Sequence, residues 1–465
     1  MTLIKSISGF RGTIGGKVGE GLTPVDIVGF ASAFASFIYQ ESGKEAITIV
    51  VGRDARLSGE MVEALVNNTL VAMGVHVVNL GLSTTPTVEM AVVNKKADGG
   101  IILTASHNPK QWNALKLLNG SGEFISAAQG EALLKTIEHG GLEFKDIDKI
   151  GSIVSDDTQI AKHVQEILKL ELVNVEAIKK ANFKVAFDAV NSTGGISIPV
   201  LLDALGVKDI VALYEEPTGI FPHNPEPLPE HLTVISQEVV KQKAHVGFVV
   251  DPDVDRLAIV SENGDLFGEE YTLVAVADYI LSKKKGATVS NLSSTRALRD
   301  VSVKHGVSYS ASAVGEVNVV AEMKATNAII GGEGNGGIIY PELHYGRDSL
   351  VGIALFLSLM AEREQKVSKI RSSYPDYFIS KNRINLDAEM EVDVILESIA
   401  EKYQKEEVSA IDGVKIDFEE GWVHLRKSNT EPILRLYSES NSENTSENLA
   451  KKIMNDVGEI IKDRR

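Results

Sequence analysis

The stretch Asp251-Pro252-Asp253-Val254-Asp255-Arg256 sets three carboxylates at alternate positions directly after the apolar run VGFVV. Carboxylates so spaced can converge through a tight loop on one hard divalent cation, and magnesium suits such an all-oxygen site. A solvated acidic turn is the plainer explanation, but the apolar LAIV that follows argues for burial on both sides. An EF-hand loop fits part of the pattern, with Glu262 at its twelfth position. Arg256 nevertheless stands where that loop needs glycine, and both flanks read as strands rather than helices. The same Asp-x-Asp could also carry the aspartyl nucleophile of a phosphatase.

A competing nucleophile lies upstream. The run GGIIL ends in TASHNP, so the chain leaves an apolar strand, presents Ser106, His107 and Asn108, and fixes the turn with Pro109. A buried strand that ends in small hydroxyl residues usually just ends, whereas this stop holds one hydroxyl in place. Whether Ser106 or an aspartate is attacked decides the reaction class. His107 alone is more often a positioning hydrogen-bonder than a catalyst.

Three weaker signals accompany these two. RKSNTEP gathers Arg426, Ser428, Asn429 and Thr430, a fork-shaped guanidinium with hydroxyl and amide donors suited to phosphate, although an ordinary polar hairpin would look similar. Arg435 lies on the next strand, outside the cluster, where a structural role suffices. In GGEGNGG, glycines let backbone approach a ligand while Glu333 and Asn335 offer hydrogen-bonding groups for vicinal sugar hydroxyls. A glycine-rich turn is the common alternative. Arg11 and Lys116 add positive charge near the first module's loops, where either could be a surface residue.

These loops need strands to hold them. Apolar runs such as AITIVVGRDAR, FKVAFDAVNSTGG and ATVSNLSSTRAL alternate with amphipathic stretches such as GEMVEALVNNTLVAMG. That alternation predicts βαβ units and mostly parallel sheets, with ligands beyond the carboxyl ends of the strands. From about Pro375 the pattern changes to helix, short alternating strands and a charged terminal helix, an α+β module. The expected domains are residues 1–155 with the serine loop, 156–256 with the acidic loop, 257–369 with the glycine-rich loop, and 370–465 with the RKSNTEP loop.

Bulk properties exclude several classes. The 465 residues exceed one core, and 43% hydrophobic with 24% charged residues is ordinary for a soluble chain. A formal net charge of −17 argues against nucleic acid or an anionic membrane as partner, but leaves room for a small phosphorylated substrate in a local basic pocket. With no cysteine, disulfides, thiolate nucleophiles and zinc–thiolate sites are excluded. The sequence shows neither a signal-peptide pattern nor a run of about 20 apolar residues, so a cytoplasmic location is expected.

With these four loops in this order, the chain resembles the α-D-phosphohexomutase superfamily along essentially its whole length. TASHNP is similar to the family's phosphoserine loop, DPDVDR to its magnesium loop, GEGNG to its sugar-recognition loop and RKSNTEP to its C-terminal phosphate loop. The resemblance implies three similar α/β domains with mixed, mostly parallel sheets around a cleft and a fourth, α+β domain that closes it. It implies that Ser106 carries a phosphoryl group, which adds an oxygen to a magnesium ion held by Asp251, Asp253 and Asp255, with Arg256 assisting. Glu333 and Asn335 would read sugar hydroxyls. Arg426, Ser428, Asn429 and Thr430 would hold the far phosphate, Lys116 would stand near the reacting hydroxyl and Arg11 at the cleft.

The implied reaction passes the phosphoryl group to a hexose monophosphate, giving a hexose 1,6-bisphosphate that turns and returns its other phosphate to Ser106. The same bisphosphate would prime the enzyme. Many relatives carry serine at the position of Asn335 and a proton-shuttling histidine at that of Gly337, so the acid–base role passes to Lys116, His107 or another group. The Glu-Gly-Asn-Gly form resembles the amino-sugar mutases, which favours glucosamine phosphate over mannose or glucose phosphate. An aspartyl-dependent sugar phosphatase and a non-catalytic sugar phosphate sensor are the rival classes.

Overall fold

The computed structural model describes residues 2–6, 9–139, 143–386, 391–427 and 433–463. The chain divides into two compact units, Met1–Thr272 with Asn335–Lys369, and Leu273–Gly334 with Ile370–Arg465.

In the first unit, a seven-stranded sheet runs in the order Ile4–Ser6, Gly9–Thr13, Trp112–Asn119, Gly99–Leu103, Thr48–Arg53, His76–Leu82 and Ser152–Ser155. The last four strands are parallel, while the first three join antiparallel. The sheet is therefore mixed, its parallel half being the part that the alternation of apolar runs and helices accounts for. Helix Pro24–Ser42 shows why local sequence suffices for its ends. Thr23 and Asp26 form a capping box, Pro24 occupies the first turn, and Gly43 closes the helix in the left-handed conformation.

A second sheet of the same unit has the order Leu257–Ser261, Val246–Val250, Lys184–Asp188 and Asp209–Leu213. Every residue of Val246–Val250 and of Leu257–Ser261 is buried, as the continuous apolar runs require of strands covered on both faces. They pair as an antiparallel hairpin whose connection is DPDVDR. Helix Ser349–Arg363 is buried from Ser349 to Met360 and sets Phe356 edge-on to Phe248 and Phe267. Its N-cap, Asp348, accepts from the backbone N–H groups of Leu350 and Val351.

In the second unit, Thr288–Asn291 pairs in parallel with Tyr309–Ser312 and Ile330–Glu333. The unit also holds a five-stranded antiparallel sheet in the order Phe378–Asn385, Ile433–Ser440, Gly421–Lys427, Val414–Asp417 and Glu407–Ser409. Helices Val392–Lys402 and Glu443–Asp463 pack on it around Ile399, Leu425, Leu436 and Ile453. Three α/β modules with mixed sheets and a C-terminal α+β module make up the chain, as expected. Strand Phe378–Asn385 was missing from the sequence reading. It lies at a sheet edge with little burial on either face, so no apolar run marks it.

Candidate active site

Ser106 sits two residues past the parallel strand Gly99–Leu103 and its Thr104, at φ 48°. The left-handed region costs a non-glycine residue about 1–2 kcal/mol, so the surroundings must impose it. The Ser106 N–H donates to Thr104 Oγ1 at 2.9 Å, and Thr104 Oγ1 donates to Asp54 Oδ2 at 2.7 Å. Asp54 in turn holds Arg56 through Nε at 3.0 Å. The guanidinium of Arg56 then donates to four carbonyls of this loop: Ser106, Asn108 at 2.7 Å, Pro109 at 2.9 Å and Trp112 at 3.0 Å. Burial pushes the Asp54 carboxyl upward, and Arg56 is the strongest influence against that shift. One buried arginine thus gathers the serine loop. Sequence reading missed both residues, although GRDAR after the strand Thr48–Arg53 placed them at a carboxyl end.

The acidic hairpin loop faces this serine. Ser106 Oγ donates to Asp251 Oδ2 at 2.6 Å, and the other Asp251 oxygen accepts from the N–H groups of Asp255 and Arg256 at 3.2 Å each. Val254 lies at φ 63° and is fully buried, so the loop is turned tightly. Its backbone is tied on two sides. Pro252 O accepts from Ser192 Oγ at 2.7 Å and Thr193 Oγ1 at 2.8 Å, and Asp253 O accepts from Thr85 N at 2.9 Å. Thr85, at the start of helix Thr85–Asn94, also donates its hydroxyl to Asp253 Oδ2 at 2.6 Å.

All three aspartates are fully buried, and one carboxylate oxygen of each lies within 4.8 Å of the others. Lys116 Nζ donates to Asp253 Oδ2 at 2.7 Å and stands 3.4 Å from Asp255 Oδ2, while Arg347 donates to Asp255 Oδ2 at 2.7 Å. Burial would favour neutral Lys116, but Asp253 and Asp255 outweigh it and hold the ammonium charged. Burial, then the like charges of Asp255 and Asp253, drives the Asp251 carboxyl well above its ordinary range. Asp253 is opposite in sense: burial is outweighed by Lys116, and the carboxylate stays ionised.

Asp253 Oδ1 and Asp255 Oδ1 are buried with no hydrogen-bond partner among the described residues. Orphaned buried carboxylate oxygens are expensive, and a divalent cation satisfies them without further donors. An all-oxygen donor set of this kind suits magnesium better than a softer metal. The residues therefore fit that ion.

Other sequence-predicted residues fall around or apart from this core. His107 Nδ1 lies 3.4 Å from Ser106 Oγ, and burial followed by Arg256 lowers its pKa to about 2, so the ring is neutral. Arg256 and His107 both face Glu226, at 3.5 and 3.8 Å. Lys116 lies within strand Trp112–Asn119 rather than on a loop, opposite Gly9. Arg11 is likewise in a strand, Gly9–Thr13, opposite Ala114, which puts it on the same sheet face as Lys116. From its strand Lys116 reaches the acidic loop through the bond to Asp253.

Asn335 Oδ1 accepts from Gly337 N at 3.1 Å. A Cβ at Gly337 would stand 2.3 Å from Arg347 Cδ, so the glycine leaves room for the arginine that reaches Asp255. Arg347 was also missed by sequence reading; HYGRD gives it no chemical spacing to the acidic loop.

In the second unit, Glu333 ends its strand and accepts from Asn291 Nδ2 at 2.8 Å and Gly315 N at 3.1 Å. Arg426 closes strand Gly421–Lys427 with Nε 3.2 Å from Asp412 Oδ2. Ser428, Asn429 and Thr430 lie outside the described residues.

The phosphoglucomutase/phosphomannomutase α/β/α domains I, II and III match residues 5–143, 161–264 and 268–377, and the C-terminal domain matches residues 384–456. A phosphoglucomutase/phosphomannomutase of Thermococcus kodakarensis is 33% identical over 438 residues, 93% of this chain and 94% of the relative. A phosphoglucosamine/phosphogalactosamine mutase of Sulfurisphaera tokodaii is 31% identical over 447 residues, 94% of this chain and 96% of the relative. Among solved structures, a phosphoglucomutase/phosphomannomutase family protein of Burkholderia thailandensis superposes with a TM-score of 0.83 at 26% identity, covering 99% of this chain and 97% of that one. Matched in order by all four domains and by relatives along nearly its full length, the chain belongs to the phosphoglucomutase/phosphomannomutase family of α-D-phosphohexomutases, which are isomerases.

Proposed function

We propose that the chain interconverts glucosamine 6-phosphate and glucosamine 1-phosphate through a phosphoserine at position 106 and a 1,6-bisphosphate intermediate. The observation that carries this reading is Ser106 Oγ, held 2.6 Å from Asp251 beside two further buried aspartates and Lys116. In the first half-reaction a sugar hydroxyl oxygen forms a bond to the phosphorus as the phosphorus–Oγ bond of Ser106 breaks. The hydroxyl proton passes, in net, to Ser106 Oγ, which regains its hydroxyl as the bisphosphate forms. The second half-reaction is the reverse, with the sugar's other phosphate as donor.

Asp251, Asp253 and Asp255 would hold magnesium, which when bound neutralises charge on the transferring group. Lys116, kept charged between two carboxylates, offers positive charge to phosphoryl oxygens but cannot accept a proton. His107 is neutral and adjacent to Oγ, but the burial and the Arg256 charge that keep it neutral also make it a weak proton acceptor. Arg426 would grip the far phosphate and Glu333 and Asn335 the sugar hydroxyls. An aspartyl phosphatase reading draws less support, because Asp253 Oδ2 is engaged by both Lys116 and Thr85.

The choice of glucosamine rests on the Glu-Gly-Asn-Gly form of residues 333–336 and on the amino-sugar name of the Sulfurisphaera tokodaii relative. The name of the Thermococcus kodakarensis relative favours a second reading, mannose or glucose phosphate. A coupled assay of glucosamine, mannose and glucose 1-phosphates, primed with trace bisphosphate, separates them. Glucosamine 1-phosphate should show a kcat/KM at least about tenfold above the others, a difference of about 1.4 kcal/mol in transition-state binding. A higher value for either neutral sugar would reject the amino-sugar assignment.

A further inference from the structure

The first unit contains a second group of metal-ligating side chains that the mutase chemistry does not use. His163, on helix Gln159–Lys169, and His344, four residues before Asp348, both direct Nε2 at Asp348 Oδ2, at 2.8 and 3.3 Å. These three ligand atoms lie within 4.8 Å of one another, and the two rings stand nearly perpendicular, at 89°. Zinc bonds to nitrogen and oxygen of about 2.0–2.2 Å put tetrahedral ligand atoms roughly 3.3 Å apart, close to this arrangement.

The outer nitrogens face polar partners, His163 Nδ1 in a hydrogen bond and His344 Nδ1 in a charge contact. His163 Nδ1 lies 2.9 Å from Thr87 Oγ1, and His344 Nδ1 lies 3.2 Å from Glu89 Oε2. Histidines that bind a metal through one nitrogen usually have the other held by a hydroxyl, carboxylate or carbonyl, which sets the tautomer. The approach of Glu89 depends on Gly346, where a Cβ would stand 1.8 Å from Oε2.

Charge is compatible with either occupant. Beside the buried carboxylates Asp348 and Glu89, a divalent cation or protons on the rings supply the positive charge. Imidazole ligands select zinc over magnesium, whereas the three-aspartate site is built of oxygen alone. A cavity of about 560 Å³, lined by Leu343, Met90 and Glu166 among others, reaches His344, while His163 and Asp348 are fully buried.

We infer that His163, His344 and Asp348 form a zinc site that ties helix Thr85–Asn94, helix Gln159–Lys169 and the start of helix Ser349–Arg363 together. The site is independent of which sugar phosphate the enzyme isomerises. The test loads the full chain with zinc in excess magnesium, removes unbound metal and counts zinc per chain by elemental analysis. Cobalt substitution, read by visible absorption of a four-coordinate site, is the second readout.

About one zinc per chain is expected in the wild type and in Asp253→Asn, with loss to below a tenth in His344→Gln. Thr87→Val keeps all three ligands and should weaken zinc binding about 10- to 100-fold. This variant decides the matter if His344→Gln does not fold. Wild type that retains no zinc, zinc lost in Asp253→Asn, or zinc affinity unchanged in Thr87→Val would each overturn the site and leave the cluster neutralised by protons.

Discussion

Arg347 and Gly337 act as a pair at the scale of single residues. The glycine has no side chain, and the arginine crosses the space one would fill to reach Asp255 at 2.7 Å. Arg347→Ala leaves Asp255, a proposed magnesium ligand, with only the longer Lys116 contact, and loss of such outer support lowers metal affinity or activity about 10- to 100-fold. Magnesium titration of activity should show that loss, while the Kd for monophosphate, measured separately, changes less. An unchanged titration would reduce Arg347 to packing. The same scale shows what sequence could and could not reveal. DPDVDR and TASHNP were legible because each is a local run whose spacing carries its chemistry. Arg56, Thr85 and Arg347 were not, because each reaches its partner across a distance in sequence that no spacing rule encodes.

Elements explain the rest of that contrast. Continuous apolar runs revealed the buried hairpin strands Val246–Val250 and Leu257–Ser261, whereas the sparsely buried edge strand Phe378–Asn385 gave no comparable signal. Strand Gly421–Lys427 has a titratable anchor of its own. His424 is buried with Nδ1 2.8 Å from Ser293 Oγ and Nε2 2.6 Å from Asp412 O. Burial lowers its pKa to about 4, so the unfolded chain, with an ordinary histidine near 6.5, binds the extra proton between these values. The contribution of neutral His424 is fully present above about pH 6.5 and is lost as pH falls toward 4. Urea midpoints measured from pH 7 down to 4 should fall, with a shallower slope in His424→Gln. Equal slopes would contradict the assignment.

For the whole molecule, the mutase reading requires one intermediate to keep both phosphates bound while it reverses. Arg426 is the described residue of the RKSNTEP cluster, and its Nε lies beside Asp412. A hydrogen bond to a charged phosphate contributes about 1.5–3 kcal/mol. Arg426→Ala should therefore weaken both monophosphates by about tenfold to over a hundredfold and release bisphosphate during turnover. Binding of both substrates unchanged from wild type, with no escape, would make Arg426 a hairpin residue. Fold class and the order of the four loops were readable at this scale because each module repeats its own strand–loop logic. The preferred sugar was not, since it depends on a few contacts. The most direct test of the central claim is the site of phosphorylation. Intact-mass and peptide analysis after incubation with glucosamine 1,6-bisphosphate should place one phosphate on Ser106, absent from Ser106→Ala together with nearly all activity. A phosphate found on Asp253 instead would contradict the phosphoserine mechanism.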